Sequence, residues 1–118
     1  MENKGAVQDK SFAFALRIVK LYKHLSEGKR EYVLSKQLLR SGTAVGALVR
    51  EAEQAESKPD FIHKLAIALK EANETEYWLE LLHQSGFIDD KGFKSISSDL
   101  KQLLKLLTAI IKKAKASR

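Results

Sequence analysis

Three groups of residues in this chain could do chemistry. They are a few histidines near carboxylates, arginines and glutamates in the middle of the sequence, and lysines crowded toward its end. A di-metal carboxylate centre in a helical bundle needs carboxylates from facing helices plus two Glu-x-x-His pairs turned inward. One such pair occurs, Glu80-Leu81-Leu82-His83, and it lies off the apolar line of Leu79 and Leu82. No metal ligands and no cofactor are therefore expected. His63 falls one turn into a helix, where packing or solvation is the ordinary role of a histidine. The chain contains no Gly-rich phosphate loop and no nucleophile elbow, and no histidine is paired with a carboxylate in a catalytic spacing. No catalytic residue is assigned, and a non-enzymatic role is expected.

The lysines are a different case. Twenty-one Lys and Arg stand against fifteen Asp and Glu, a formal charge of +6 and a pI near 9.6. Residues 86–118 carry eight basic and three acidic side chains, a net of +5, whereas residues 58–85 carry three basic and five acidic, a net of −2. Lys94, Lys101, Lys105, Lys112, Lys113 and Lys115 have few acidic neighbours to neutralise them, so their shared surface should hold positive potential. Such a surface suits nucleic acid, RNA or DNA, with Arg17, Lys20 and Lys23 as helpers. Aromatic side chains suited to stacking on bases are sparse near them apart from Phe93, so binding should follow the phosphate backbone with weak sequence preference. The competing reading is a solvated basic face that keeps a protein-interaction scaffold soluble.

Four helices must position these groups. The expected spans are about 11–26, 32–56, 58–85 and 90–116, within a single domain over 1–118. Helix one has Ser11 as candidate N-cap and an apolar stripe of Phe12, Ala15, Leu16, Val19, Tyr22 and Leu25. Helix two shows a heptad seam, Leu34, Leu38, Ser41, Val45, Leu48, Ala52 and Ala55, whose second half is small side chains. Gly42 and Gly46, four apart, each weaken a helix by roughly 0.8–1 kcal/mol relative to Ala, so close packing or a kink is expected where they lie. Ser57-Lys58-Pro59-Asp60 reads as a turn and capping box, and Gly86 as a C-terminal stop. Asp89 or Asp90 is the expected cap of the last helix.

The seam of helix three is Phe61, Leu65, Ala68, Ala72, Thr75, Leu79 and Leu82, and that of helix four is Phe93, Ile96, Leu100, Leu103, Leu107, Ile110 and Ala114. With short connections, this predicts an all-α, up-down-up-down antiparallel four-helix bundle. A second line on helix three, Ile67, Glu71, Glu74, Trp78 and Leu81, leaves more apolar and acidic circumference than one bundle covers. A homo-oligomer is therefore expected. Its interface is assigned to Arg40, Gly42, Gly46, Arg50, Glu71, Glu74 and Trp78, with the glutamates pairing the arginines within or between subunits. The opening residues have no signal-like apolar run, and no window is apolar enough to span a membrane, so a cytoplasmic protein without a membrane partner is expected.

Two resemblances sharpen these expectations. Arg17 and His24 are spaced Arg-x6-His, which resembles the motif of the all-helical HEPN ribonucleases. That resemblance implies RNA cleavage by paired subunits, although there the motif generally lies late in the domain and here it is early. Three stretches carry the other resemblance: Arg40-Ser41-Gly42-Thr43-Ala44-Val45-Gly46-Ala47-Leu48-Val49-Arg50-Glu51-Ala52, the turn Ser57-Lys58-Pro59-Asp60-Phe61, and Lys70-Glu71-Ala72-Asn73-Glu74-Thr75-Glu76-Tyr77-Trp78-Leu79. Together they resemble the bacterial four-helix bundle proteins encoded in 23S rRNA intervening sequences, a family similar to the accessory proteins of diversity-generating retroelements. The resemblance implies a homopentameric barrel of bundles. For the retroelement relatives it also implies a basic surface that binds nucleic acid and a reverse transcriptase, and it implies no catalytic activity. Relatives often have Ser-Ile and Ala-Asn-Ile where this chain has Ala44-Val45 and Ala47-Leu48-Val49.

Overall fold

Two helices begin where a side chain takes over a backbone N–H left without an intrahelical partner. Ser57 Oγ accepts from Asp60 N at 3.2 Å, and Asp60 in turn accepts from Glu56 N at 3.1 Å. Asp89 accepts from Gly92 N at 2.7 Å. Helix three stops at Gly86, whose φ of +90° suits a residue without a Cβ, and the amides of Gly86 and Phe87 close back on His83 O and Leu82 O.

The structure, a computed structural model, describes residues 2–117, with side chains from Gly5 onward. Helices α1 (Glu2–Lys23), α2 (Leu34–Ala52), α3 (Lys58–Gln84) and α4 (Asp90–Ala116) account for most of the chain, and α1 ends in a π turn, His24–Gly28. No strand occurs among the described residues. Each helix packs on the next in sequence, and α1 also packs on α4, giving a body of 49 × 22 × 20 Å. No helix among the described residues is long and apolar enough to cross a membrane.

The seams expected for α3 and α4 are the buried ones through their middles, and that of α2 holds as far as Val45; beyond it Val49 and not Leu48 turns inward, and α2 ends at Ala52, short of the expected residue 56, leaving Ala55 outside the helix. Leu38, Val45, Leu65, Ala68, Ala72, Leu79, Leu82, Leu100, Leu103 and Leu107 form the core with little or no exposure. Four polar side chains, Ser11, Ser35, Ser41 and Thr75, are buried with it, and two of them pair with each other. The hydroxyls of Thr75 and Ser41 are hydrogen-bonded at 2.9 Å, and Thr75 Oγ1 also lies 2.7 Å from Glu71 O. A hydroxyl paired in this way avoids the cost of an unmet donor in the core.

Helix α1 differs from expectation in both start and face. It begins at Glu2, and Ser11 is a buried mid-helix residue whose Oγ donates to Gln8 O, not an N-cap. Its buried side is Val7, Ser11, Phe14, Ile18 and Leu25, while Phe12 and Leu16 of the expected stripe stand half exposed. The cause lies on α2. A Cβ added to Gly42 would come within 2.8 Å of Ile18, and one on Gly46 within 3.2 Å of Ser11 O. The two glycines let α1 settle with Ile18 and Ser11 inward. They therefore serve packing inside the chain.

Helix α2 starts at Leu34, later than the expected residue 32, because Glu31 caps it from outside. The Glu31 carboxylate accepts from the amides of Val33, Leu34 and Ser35 at 3.2, 2.9 and 2.7 Å. Partial burial pushes this carboxyl up, but these N–H groups outweigh it and hold the group below its ordinary value.

Candidate nucleic-acid interface

The seam that buries Ile96, Leu100, Leu103 and Leu107 turns the opposite side of α4 outward. At 3.6 residues per turn, Lys94, Lys101, Lys105 and Lys112 fall within about 20° of a single line on that side. Their spacings of seven, four and seven residues put them about 10.5, 6 and 10.5 Å apart along the axis. Lys113 and Lys115 flank the line on either side, and all six are exposed. Between Lys91 and Ala116 the one acidic residue is Asp99, and it is turned away from this row toward α1.

There it meets Arg17. The Arg17 guanidinium donates to Asp99 Oδ2 at 2.7 Å, to Ser95 Oγ at 2.9 Å and to Ser95 O at 3.4 Å, while Lys10 Nζ donates to Gln102 at 3.2 Å. Arg17 is thus a tie between α1 and α4, so the expected helper set divides: Lys20 and Lys23 are exposed, and Arg17 is engaged. Sequence reasoning missed Asp99 and Ser95. Their signal is a register relation across two helices, which becomes readable only after the helices are paired.

Arg17 and His24, the ribonuclease-like pair, have separate surroundings. His24 belongs to the π turn and, with Leu21, Lys29, Phe87 and Asp89, lines an open depression of about 350 Å³ at one end of the bundle. In the Glu80/His83 pair, His83 Nε2 lies 2.7 Å from Asp90 Oδ1 and its ring stacks on Phe93 with centroids 4.1 Å apart, while Glu80 is exposed. His83 lowers the Asp90 carboxyl below its ordinary value by hydrogen bond and charge. Among the described residues, no three His, Asp or Glu side chains converge as metal ligands would. His63 is exposed.

Of the remaining predicted site residues, Arg40, Glu71, Glu74 and Trp78 form a network inside the chain. Arg40 donates to Glu71 at 3.1 Å and pairs closely with Glu74, which also accepts from Trp78 Nε1 at 2.9 Å. The Arg40 and Trp78 bonds hold the Glu74 carboxyl below its ordinary value, and Glu74 raises the pKa of Arg40. Arg50 departs from the expectation that it would face these glutamates. It lies over the ring of Phe12 on α1, 5.9 Å from the centroid, and the ion pair between α2 and α3 at that end is Glu51 with Lys64 at 3.4 Å.

The profile of the 23S rRNA-intervening sequence proteins matches residues 3–109. The chain belongs to that family. Its fold is similar to the crystal structure of a protein of unknown function from the S23 ribosomal protein family of Bacteroides thetaiotaomicron VPI-5482. The two are 57% identical with a TM-score of 0.92, over 93% of this chain and 98% of that one. No curated protein matches. The 23S rRNA-intervening sequence family membership extends through most of α4, so the lysine row up to Lys105 lies within the matched region.

Proposed function

We propose that this chain is a non-enzymatic nucleic-acid-binding protein that holds RNA or DNA by its phosphates through Lys94, Lys101, Lys105, Lys112, Lys113 and Lys115, helped by Lys20 and Lys23. The observation that carries this reading is the outward lysine row of α4, along which Asp99 is engaged by Arg17 and the other carboxylate of the helix, Asp90, sits only at the Lys94 end. Engagement of Arg17 also favours this role over the ribonuclease one. The reading includes an up-down-up-down bundle that assembles into a homo-oligomeric ring, a pentamer, in the cytoplasm. Phe12, Leu16, Tyr77 and Leu81 support assembly, since they stand exposed on α1 and α3 where one chain leaves them uncovered. The family's link to 23S rRNA intervening sequences makes structured RNA the natural first ligand.

Binding to a structured RNA, titrated between about 50 and 200 mM salt, tests this. Affinity should fall steeply with salt, as counterion release requires. A flat salt response, or unchanged affinity when Lys101, Lys105, Lys112 and Lys113 are all replaced by Glu, would reject it.

A second reading is a protein-interaction scaffold, for example an accessory of a reverse transcriptase. It is favoured by the exposed Tyr77 edge-on to Trp78 on α3. A partner retained after nuclease treatment would select it.

A further inference from the structure

Resting on the nucleic-acid reading, we infer that the partner is a double-stranded nucleic acid, gripped across a groove by cations on two packed helices, a row on α4 and a pair on α1. The first row is Lys94, Lys101, Lys105 and Lys112, spanning about 27 Å of a straight helix. The second set is Lys10 and Lys20, about 15 Å apart along α1 and about 80° apart around it. Its register follows from the ties between the two helices: Lys10 reaches Gln102 while Arg17 reaches Ser95 and Asp99, so residue numbers fall on α4 as they rise on α1. Lys20, one turn beyond Arg17 and exposed, therefore stands beside the Lys94 end of the row. Lys10, beside Gln102, stands next to Lys101 and Lys105.

Two packed helices have axes about 8–10 Å apart, so cations on their outer sides are separated by that much or more. A single strand presents one line of phosphates and would leave one set idle. A duplex presents two, separated across the major groove of B-form DNA by about 12 Å. Rigidity argues the same way, because both sets are carried on packed helices tied together by Arg17 and cannot bend to follow a flexible strand.

Aromatic placement supplies the other half of the argument. Proteins that hold single strands combine positive grooves with aromatic platforms on which bases stack. The exposed aromatics among the described residues are Phe12, Tyr32 and Tyr77. Phe12 of α1 lies under Arg50 of α2, Tyr32 is in the connection before α2 and Tyr77 is on α3, so none of them is on α4. Phe93, the aromatic nearest the row, is half buried and already stacked on His83. The face offers charge from two helices and, along α4, no exposed ring for a base to lie on.

Fluorescence anisotropy with a labelled duplex of about two helical turns and with each of its separated strands, at one salt concentration, tests the inference with the full chain. The duplex is expected to bind at least about tenfold more tightly than either strand, a difference of about 1.4 kcal/mol. Replacing Lys10 and Lys20 together by Glu should weaken the duplex and leave strand binding little changed, while Lys101→Glu with Lys105→Glu should weaken both. Strands binding as tightly as duplex, or duplex binding indifferent to Lys10 and Lys20, would overturn the two-helix assignment while leaving the nucleic-acid reading in place. Failure of every probe to bind would overturn that reading itself.

Discussion

Gly42 lies flush against Ile18, so closely that a methyl group at Gly42 would meet Ile18 Cγ1 at 2.8 Å and Cγ2 at 2.9 Å. Ile18 is fully buried and β-branched, so it has little freedom to move aside. Gly42→Ala gains about 0.8–1 kcal/mol of helix propensity but overpacks the contact by about 1–3 kcal/mol. The expected outcome is net destabilisation in urea unfolding. In a double-mutant cycle with Ile18→Ala, much of the loss caused by Gly42→Ala should disappear, and strictly additive losses would deny the contact its role.

Glu31 makes the stability of α2 depend on pH. Its folded-state carboxyl is held below the ordinary value, so the ionised form favours folding. That contribution is complete above the unfolded glutamate value of about 4.3 and is lost as pH falls through the lower folded value. Glu31→Gln should be less stable than the parent by about 0.5–2 kcal/mol at neutral pH, the range for a lost cap, and equal to it near the acid end. A constant gap between the two unfolding curves across pH would contradict the cap.

Asp99 restrains the positive face as well as joining two helices. Both partners of the Arg17–Asp99 pair are about two-fifths exposed, so the ion pair contributes at most about 1 kcal/mol to stability. Asp99→Asn removes one negative charge and releases Arg17 toward solvent. It should leave the melting curve nearly unchanged while tightening nucleic-acid binding and steepening its salt slope by up to about one. Unchanged binding and salt slope on Asp99→Asn would place Arg17 and Asp99 outside the interface.

The buried hydroxyl pair provides a stability prediction of a different shape. Thr75→Val leaves Ser41, fully buried, with only a 3.5 Å contact to Leu38 O. The cost should be about 1–3 kcal/mol, the penalty for an unmet buried polar group. Adding Ser41→Ala should restore part of that loss, because removing both hydroxyls is milder than removing one. Thermal denaturation of the two single variants and the double variant measures it.

Much of the bundle is written in local spacing. The heptad seams of α3 and α4 and the first half of that of α2, the Ser57/Asp60 and Asp89 caps and the Gly86 stop depend on side chains a few residues apart on one helix, and each is where the spacing placed it. The six lysines of α4 were legible for the same reason, since a seam that buries Leu100 and Leu107 necessarily turns Lys101 and Lys105 out. Helix α1 carries two apolar lines, Phe12 with Leu16 and Phe14 with Ile18, and hydrophobicity along one helix cannot choose between them. Gly42 and Gly46, more than twenty residues away, choose the second by making room for Ile18 and Ser11. The charge partners were decided in the same way: Arg17 with Asp99, Arg40 with Glu74 and Arg50 with Phe12 are meetings of side chains on different helices. Sequence by itself determined which faces are greasy and which are charged, because those follow from local periodicity, and tertiary structure decided which face meets which, because steric fit and register across helices exist only once the chain has closed on itself.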